Sequence, residues 1–155
     1  MKFLYKIFVI LLLSTSFLNA SESTKRLKNE IDIILNAYKN TSFSNVERFE
    51  LIENTINNNF AGAGIGKFVS GNSWSTASKE TKKEYIKLFK KHLALNIASL
   101  MKGYSNQEYE LINSKYDEKN KVSMIDMKIH HDTGNLLVTW RVKESKNHYF
   151  VIDLL

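Results

Sequence analysis

Three observations predict an α+β fold in which N-terminal helices pack on a curved four-stranded antiparallel sheet. Apolar residues recur at helical spacing as far as residue 101; from Gln107 onward they recur at every second position; and the strand-like segments are joined by short polar connections suited to hairpins. Helices gathered before strands, rather than alternating with them, make the class α+β and the sheet a meander. With 155 residues, 43% hydrophobic and 25% charged, the chain has the size and composition of one packed domain, with no room for a second.

Residues 1–20 are expected to address the chain rather than to join the fold. Lys2 and Lys6 precede an apolar run from Ile7 to Leu13, and Leu18-Asn19-Ala20 sets a small residue before the expected cut, the pattern of a secretory signal peptide. Even extended to Leu18, the run falls well short of the ~20 residues that span a bilayer. Cleavage leaves a single domain over 21–155, and the loss of Lys2 and Lys6 lowers the net charge from +6 to +4. Export also counts against chemistry driven by ATP, which is not available outside the cytoplasm.

Within the domain, Ile31, Ile34, Leu35 and Tyr38 follow a polar start and predict a helix over about 24–39, packed on the domain's flank. Ser44-Asn45-Val46-Glu47 has the capping-box form and starts a second helix carrying Phe49, Ile52 and Ile56, broken by Asn57-Asn58-Asn59. Phe60 to Val69 reads as a short glycine-rich helix ended by Gly71-Asn72-Ser73. Ser78 caps the longest helix, which runs to about Met101 with Gly103 as its stop. Its first half carries Lys79, Lys82, Lys83, Lys87, Lys90 and Lys91 and belongs on the surface. Its second half, Leu93 to Met101, is apolar almost all round and is expected to pass through the core. Strands are predicted at about 107–115, 121–130, 136–143 and 148–154. Ile125, Met127 and Ile129 face inward with Leu136, Val138, Trp140 and Val142, while Asp126, Lys128 and His130 face outward. Because the chain has no proline, its turns must rely on Gly, Asn, Asp and Ser.

Most candidate chemistry fails on residue types. With no cysteine there is no disulfide, zinc finger, iron–sulfur cluster or thiol nucleophile. His130 and His131 are neighbours in a strand, so their rings point to opposite faces and make no metal site. His92 reads as a boundary or core histidine, and no catalytic set is expected. Gly62 to Gly66 lacks the spacing and the lysine-serine pair of phosphate-binding loops, and close helix packing explains those glycines better. The export signal and the interleaved Glu80 and Glu84 argue against nucleic acid as a partner of the basic helix. That helix is either a solvated face or, through Lys83, Lys87 and Lys91, a docking surface for anionic membranes or acidic partners.

The block Phe60 to Trp74, followed by Ser75 to Thr81 and by Phe89, Leu93 and Tyr104, resembles the Mla-type phospholipid-binding family (MlaC-like, also called toluene-tolerance auxiliary proteins) over about residues 24–155. Tyr149-Phe150-Val151-Ile152-Asp153 matches the end of that family's meander, with tyrosine where tryptophan is usual. Ala61 and Gly62 stand where the family usually has an aspartate. The chain ends at Leu155 where the family continues, so the domain is expected to lack the C-terminal helices.

The resemblance implies a periplasmic carrier without cofactor or catalysis. It would move phospholipid between an outer-membrane lipoprotein complex and an inner-membrane ABC transporter complex, in transient contact with membranes, and so maintain outer-membrane lipid asymmetry. Such a carrier needs an apolar cavity between helices and sheet. Candidate walls are Phe60, Ile65, Phe68 and Val69 from the glycine-rich block, Phe89, Leu93, Ile97 and Leu100 from the long helix, and Ile125, Met127, Val138 and Trp140 from the sheet. Gly62, Gly64 and Gly66 would leave space beside their helix. Hopanoid cargo is an alternative, because a related branch is associated with it. Two other classes stay open, a small-molecule enzyme on a similar cone and an interaction module with a filled core. A cavity separates carrier from module, and convergent titratable groups would favour the enzyme.

Overall fold

A computed structural model describes residues 22–104, 106–131, 133–146 and 148–155. The expected signal peptide at 1–20 lies outside the described residues. Among these residues five helices precede four strands: α1 (22–39), α2 (Asn45–Asn59), α3 (Gly62–Ser70), α4 (Ser73–Thr76), α5 (Lys79–Met101), then β1 (Tyr109–Asp117), β2 (Val122–Ile129), β3 (Leu136–Ser145) and β4 (His148–Leu154). The strands pair antiparallel in the order β1-β2-β3-β4, the predicted meander.

Local chemistry explains the helix boundaries. Ser44 and Glu47 form the capping box of α2: the Glu47 N–H donates to Ser44 Oγ, and the Ser44 N–H donates to Glu47 Oε2 at 2.7 Å. Ser78 accepts from the Thr81 N–H at the start of α5. The asparagine run does not break α2, which continues to Asn59 before Phe60 turns extended. Here the donor chain of Lys90 helps, since its ammonium donates to the Asn57 carbonyl at 2.8 Å, one of the last-turn carbonyls without a helical partner. The short helix α4, between Gly71 and the Ser78 cap, is an element that the periodicity does not reveal.

The inward face of the sheet and the helices close over a core in which Ile52, Ile56, Ala94 and Ile125 are essentially inaccessible, joined by Leu27, Phe60, Val142 and Val151. Three sequence expectations need correction. α1 is not on the flank; it crosses the inward face of the sheet, where Ser23 donates to Ser123 Oγ at 2.6 Å, Thr24 to Ser114 Oγ at 3.1 Å, and Tyr109 to Asp32 at 2.6 Å. The second half of α5 does not pass through the core. Ala94 alone of its residues is buried and Leu93, Ile97, Ala98 and Met101 pack against the core from its edge, while Leu95 and Leu100 are exposed, because α2 and α3 cover one side of the helix only. His92, expected at a boundary or in the core, is exposed.

The turns also depart from expectation. Gly71, Gly134 and Asn106 take positive φ as anticipated for a chain without proline, but Lys121 (φ 54°) and Lys146 (φ 51°) occupy left-handed positions as well. Both sit in hairpins, where such a conformation matches the twist of the strands at a cost to a side chain with Cβ. At the other edge of the sheet, the α2–α3 turn is stitched to β4: Phe60 bridges Val151, and the Ala61 N–H donates to the Val151 carbonyl at 2.9 Å. Among the described residues no helix is long and apolar enough to cross a membrane.

Candidate functional site

α1 is held to the sheet by polar contacts along its length, and beneath and beside it lies a cavity of about 1190 Å³. That exceeds the ~300–1,000 Å³ usual for small-molecule sites. Its floor and walls are aliphatic and aromatic: Leu27, Ile31, Ile34 and Leu35 from α1, Ile52 and Ile56 from α2, Met127, Ile129, Trp140 and Val142 from the sheet. Tyr104, Tyr109 and Tyr149 add amphipathic rings, and Met101 an adaptable thioether.

Of the wall residues expected from sequence, Phe60, Ile97, Leu100, Met127 and Trp140 line this cavity. The others do not. Ile125 is fully buried in the core, and Leu93 and Ile65 pack against that core. Val138 lies on β3 outside the lining. Phe89 stacks on Tyr85, ring centroids 6.3 Å apart, at the far side of α5. Phe68 and Val69 are exposed, at 87% and 58%, because α3 turns its glycine face, not its apolar side chains, toward α5. A Cβ on Gly66 would meet the Tyr85 ring at 3.3 Å and one on Gly62 would run into the Lys90 side chain. Gly62 and Gly66 therefore serve close helix packing, Gly64 faces open space, and none of the three lines the cavity. Lys83, Lys87 and Lys91 are exposed on α5, whereas Lys90 is drawn inward, its burial holding the ammonium pKa below the ordinary lysine value.

Sequence reading passed over α1 as a wall. A signal was present: Ile31, Ile34, Leu35 and Tyr38, extended by Leu27, make a stripe too wide for a flank helix. Ser123 was a second signal, since a serine on the inward face beside Ile125 needs a buried partner, and Ser23 is that partner.

The charged lining residues all come from α1; Glu30 is half-buried and accepts from Thr55 of α2 at 3.3 Å, and four of the others form pairs. Glu22 pairs with Arg26 at 2.9 Å, and Lys28 with Asp32 at 2.5 Å. The Arg26 guanidinium lies over the Tyr149 ring at 5.2 Å, so α1 is fastened to β4 as well as to β1. Burial works to raise the Asp32 pKa, but the bonds from Lys28 and Tyr109 outweigh it and hold the carboxyl below its usual value. Burial, then the bond to Asp32, pushes the Tyr109 phenol upward, so it stays a donor. Asp126 and His130 are on the opposite face, where Asp126 accepts from Thr139 at 2.7 Å and His130 approaches Glu110. One polar atom in the cavity wall is out of balance: the Trp140 indole N–H is buried without a hydrogen-bond partner among the described residues. Such a donor costs about 1–3 kcal/mol. Among the described residues no group of three or more His, Asp or Glu could hold a metal ion.

A model of the MlaC protein family matches residues 25–155. Among solved structures, the phospholipid-binding protein from Ralstonia solanacearum, determined in complex with a phospholipid, shares 17% sequence identity at a TM-score of 0.71, over 87% of this chain and 76% of that one. At that identity the likeness establishes the fold. No protein with a curated description matches the chain.

Proposed function

The chain belongs to the MlaC family, and from that premise we propose that it is a periplasmic phospholipid-binding shuttle. The observation that carries the reading is the large aliphatic cavity between α1 and the sheet, with its charged lining residues all on α1. Each acyl methylene that moves from water into such a space gains about 0.8 kcal/mol, so the acyl part of the cargo is retained by burial. The headgroup needs no enclosure and meets the rim of paired charges. The Trp140 indole N–H offers a hydrogen bond to an ester oxygen of the cargo, an interaction that would remove its own deficit.

The solved protein from Ralstonia solanacearum, which binds a phospholipid on the same fold, supports this cargo. The predicted signal peptide supports a periplasmic setting. In that setting the shuttle exchanges lipid with an outer-membrane lipoprotein complex and an inner-membrane ABC transporter complex, binding rather than transforming its cargo. The test is to express the chain with residues 1–20, purify it from the periplasm, and identify bound molecules by native mass spectrometry and lipid extraction. Stoichiometric phospholipid is the expected result; a folded, empty protein would refute the reading.

A further inference from the structure

Exposed apolar side chains indicate where cargo crosses the cavity wall. Among the described residues, Leu100 and Leu136 are the large apolar side chains that are both exposed, at 79% and 58%, and part of the cavity lining. They lie in segments distant in sequence, the last turn of α5 and the first residue of β3. The topology brings those segments to one end of the sheet. α5 leads directly to β1, whose first residue Tyr109 pairs with Ile129 at the end of β2, and Ile129 pairs with Leu136. The His130 N–H donates to the Glu108 carbonyl at 2.8 Å and ties the same end together. Gly103 and Gly134, without side chains, also line the cavity there.

Leu137 extends the lip outward. It is 64% exposed and, by strand alternation, projects to the other side of β3, away from the lining. The rim along α1 is different, since its exposed lining residues are Lys25, Arg26, Lys28 and Asn29, three of them cationic. An acyl chain leaving over that rim passes charged side chains, whereas one leaving at the other end passes two leucines set among the uncharged or weakly polar lining residues Gln107, His131, Thr133 and Asn135, and so keeps more hydrocarbon contact. An exposed leucine lip continuous with a hydrocarbon-lined cavity, with the exposed cation Lys102 beside it, matches the headgroup–acyl boundary of an anionic bilayer.

We propose that cargo enters and leaves across the lip formed by Leu100 and Leu136, and that these residues with Leu137 seat the mouth directly on an anionic bilayer. The inference rests on the lipid-carrier reading and adds to it the portal and the surface it meets. The test follows uptake of a trace fluorescent phospholipid by the purified protein from vesicles of phosphatidylglycerol and phosphatidylethanolamine. The double variant Leu100→Glu/Leu136→Glu should slow uptake at least tenfold. Leu137→Glu, which touches the lip but not the cavity, should slow it several-fold and leave the final loading unchanged. Leu95→Glu, also exposed on α5 but outside the lining, should behave as the unmodified protein. All four positions are exposed, and melting curves verify that each variant folds.

Uptake by the double variant within twofold of the unmodified protein would overturn the portal, and an equal slowing by Leu95→Glu would overturn its specificity. A protein purified with phospholipid that takes none from vesicles would overturn the bilayer contact and leave the carrier reading intact. A protein that is empty by both routes would overturn both.

Discussion

Two corners of the molecule use helix α5 in opposite ways. At its first half, α3 and α4 pack against it with no space left. Gly66 lies against Tyr85, Trp74 meets Tyr85 edge-on with centroids 6.3 Å apart, and the Lys82 ammonium sits 5.7 Å over the Trp74 ring. At its far end, Ile97, Leu100 and Met101 face a cavity, and α1 opposite is fastened to the sheet by hydroxyl and carboxylate contacts. The residues that carry the family resemblance, Phe60 to Trp74, belong mostly to the filled corner. The cavity is walled by common aliphatic residues that no motif marks. Close packing demands particular residues at particular positions, whereas a cavity wall demands only that its residues be apolar and stop short of one another.

The largest expected effect separates core from cavity. Ile125 is inaccessible, so Ile125→Asp places an unpaired charge in the core and should unfold the domain, exceeding the ~2–5 kcal/mol that truncation of a buried isoleucine to alanine costs. Ile97, in the cavity wall beside its opening, should tolerate aspartate with a folded melting curve but lose bound lipid. A folded Ile97→Asp that keeps stoichiometric lipid would remove this residue from the cargo site.

The second contrast is within α3. Gly66→Leu drives a side chain into Tyr85 and should destabilise by about 1–3 kcal/mol. A Cβ on Gly64 meets nothing within 4 Å, so Gly64→Ala should stabilise by up to ~1 kcal/mol through helix propensity. Chemical denaturation measures both. Lipid loading should follow neither, because α3 is outside the cavity lining; a change in cargo with Gly64→Ala would show that the filled corner also shapes the site.

These contrasts show which parts of the structure the sequence made legible. The capping serines, the period-two strands and the alternation of Ile125 and Met127 against Asp126 and Lys128 are local patterns, and they foretold helix starts, sheet and faces. The path of α1 was not local. Its stripe states that one side is apolar but not which neighbour it meets, and the choice of the sheet rests on Ser23, Thr24 and Asp32 finding partners 77 to 100 residues away. The site residues failed for the same reason. Phe68, Phe89 and Ile97 look equivalent as apolar helix positions, and only the tertiary placement of α3, α2 and α1 around α5 leaves one exposed, one stacked on Tyr85 and one in the cavity wall.

A smaller effect concerns the basic face. Lys83, Lys87 and Lys91 are exposed along α5, so reversing all three to glutamate should leave stability within about 0.5 kcal/mol. If this face helps the protein reach anionic surfaces, transfer from anionic vesicles should slow several-fold at low salt and converge with the unmodified protein at high salt. Equal rates at low salt would make it a solvated face.

The smallest effect tests whether α1 is a fastened wall. The Asp32 carboxyl is held below its usual pKa of 3.8 by Lys28 and Tyr109, against the opposing influence of burial. A depressed folded-state pKa means that the ionised carboxylate stabilises the fold at pH above the unfolded value. The contribution is lost as pH falls through the lower folded value. Because the carboxyl is 39% exposed, solvent screening limits the pair to no more than about 1 kcal/mol. Melting temperature of the unmodified protein should therefore fall more steeply below about pH 4 than that of Asp32→Asn, which retains an acceptor for the Tyr109 hydroxyl but has no charge to lose. Parallel curves would mean that Asp32 orients Tyr109 without fastening the helix, and α1 would then be held over the cavity by its buried Ser23–Ser123 bond and its aliphatic face.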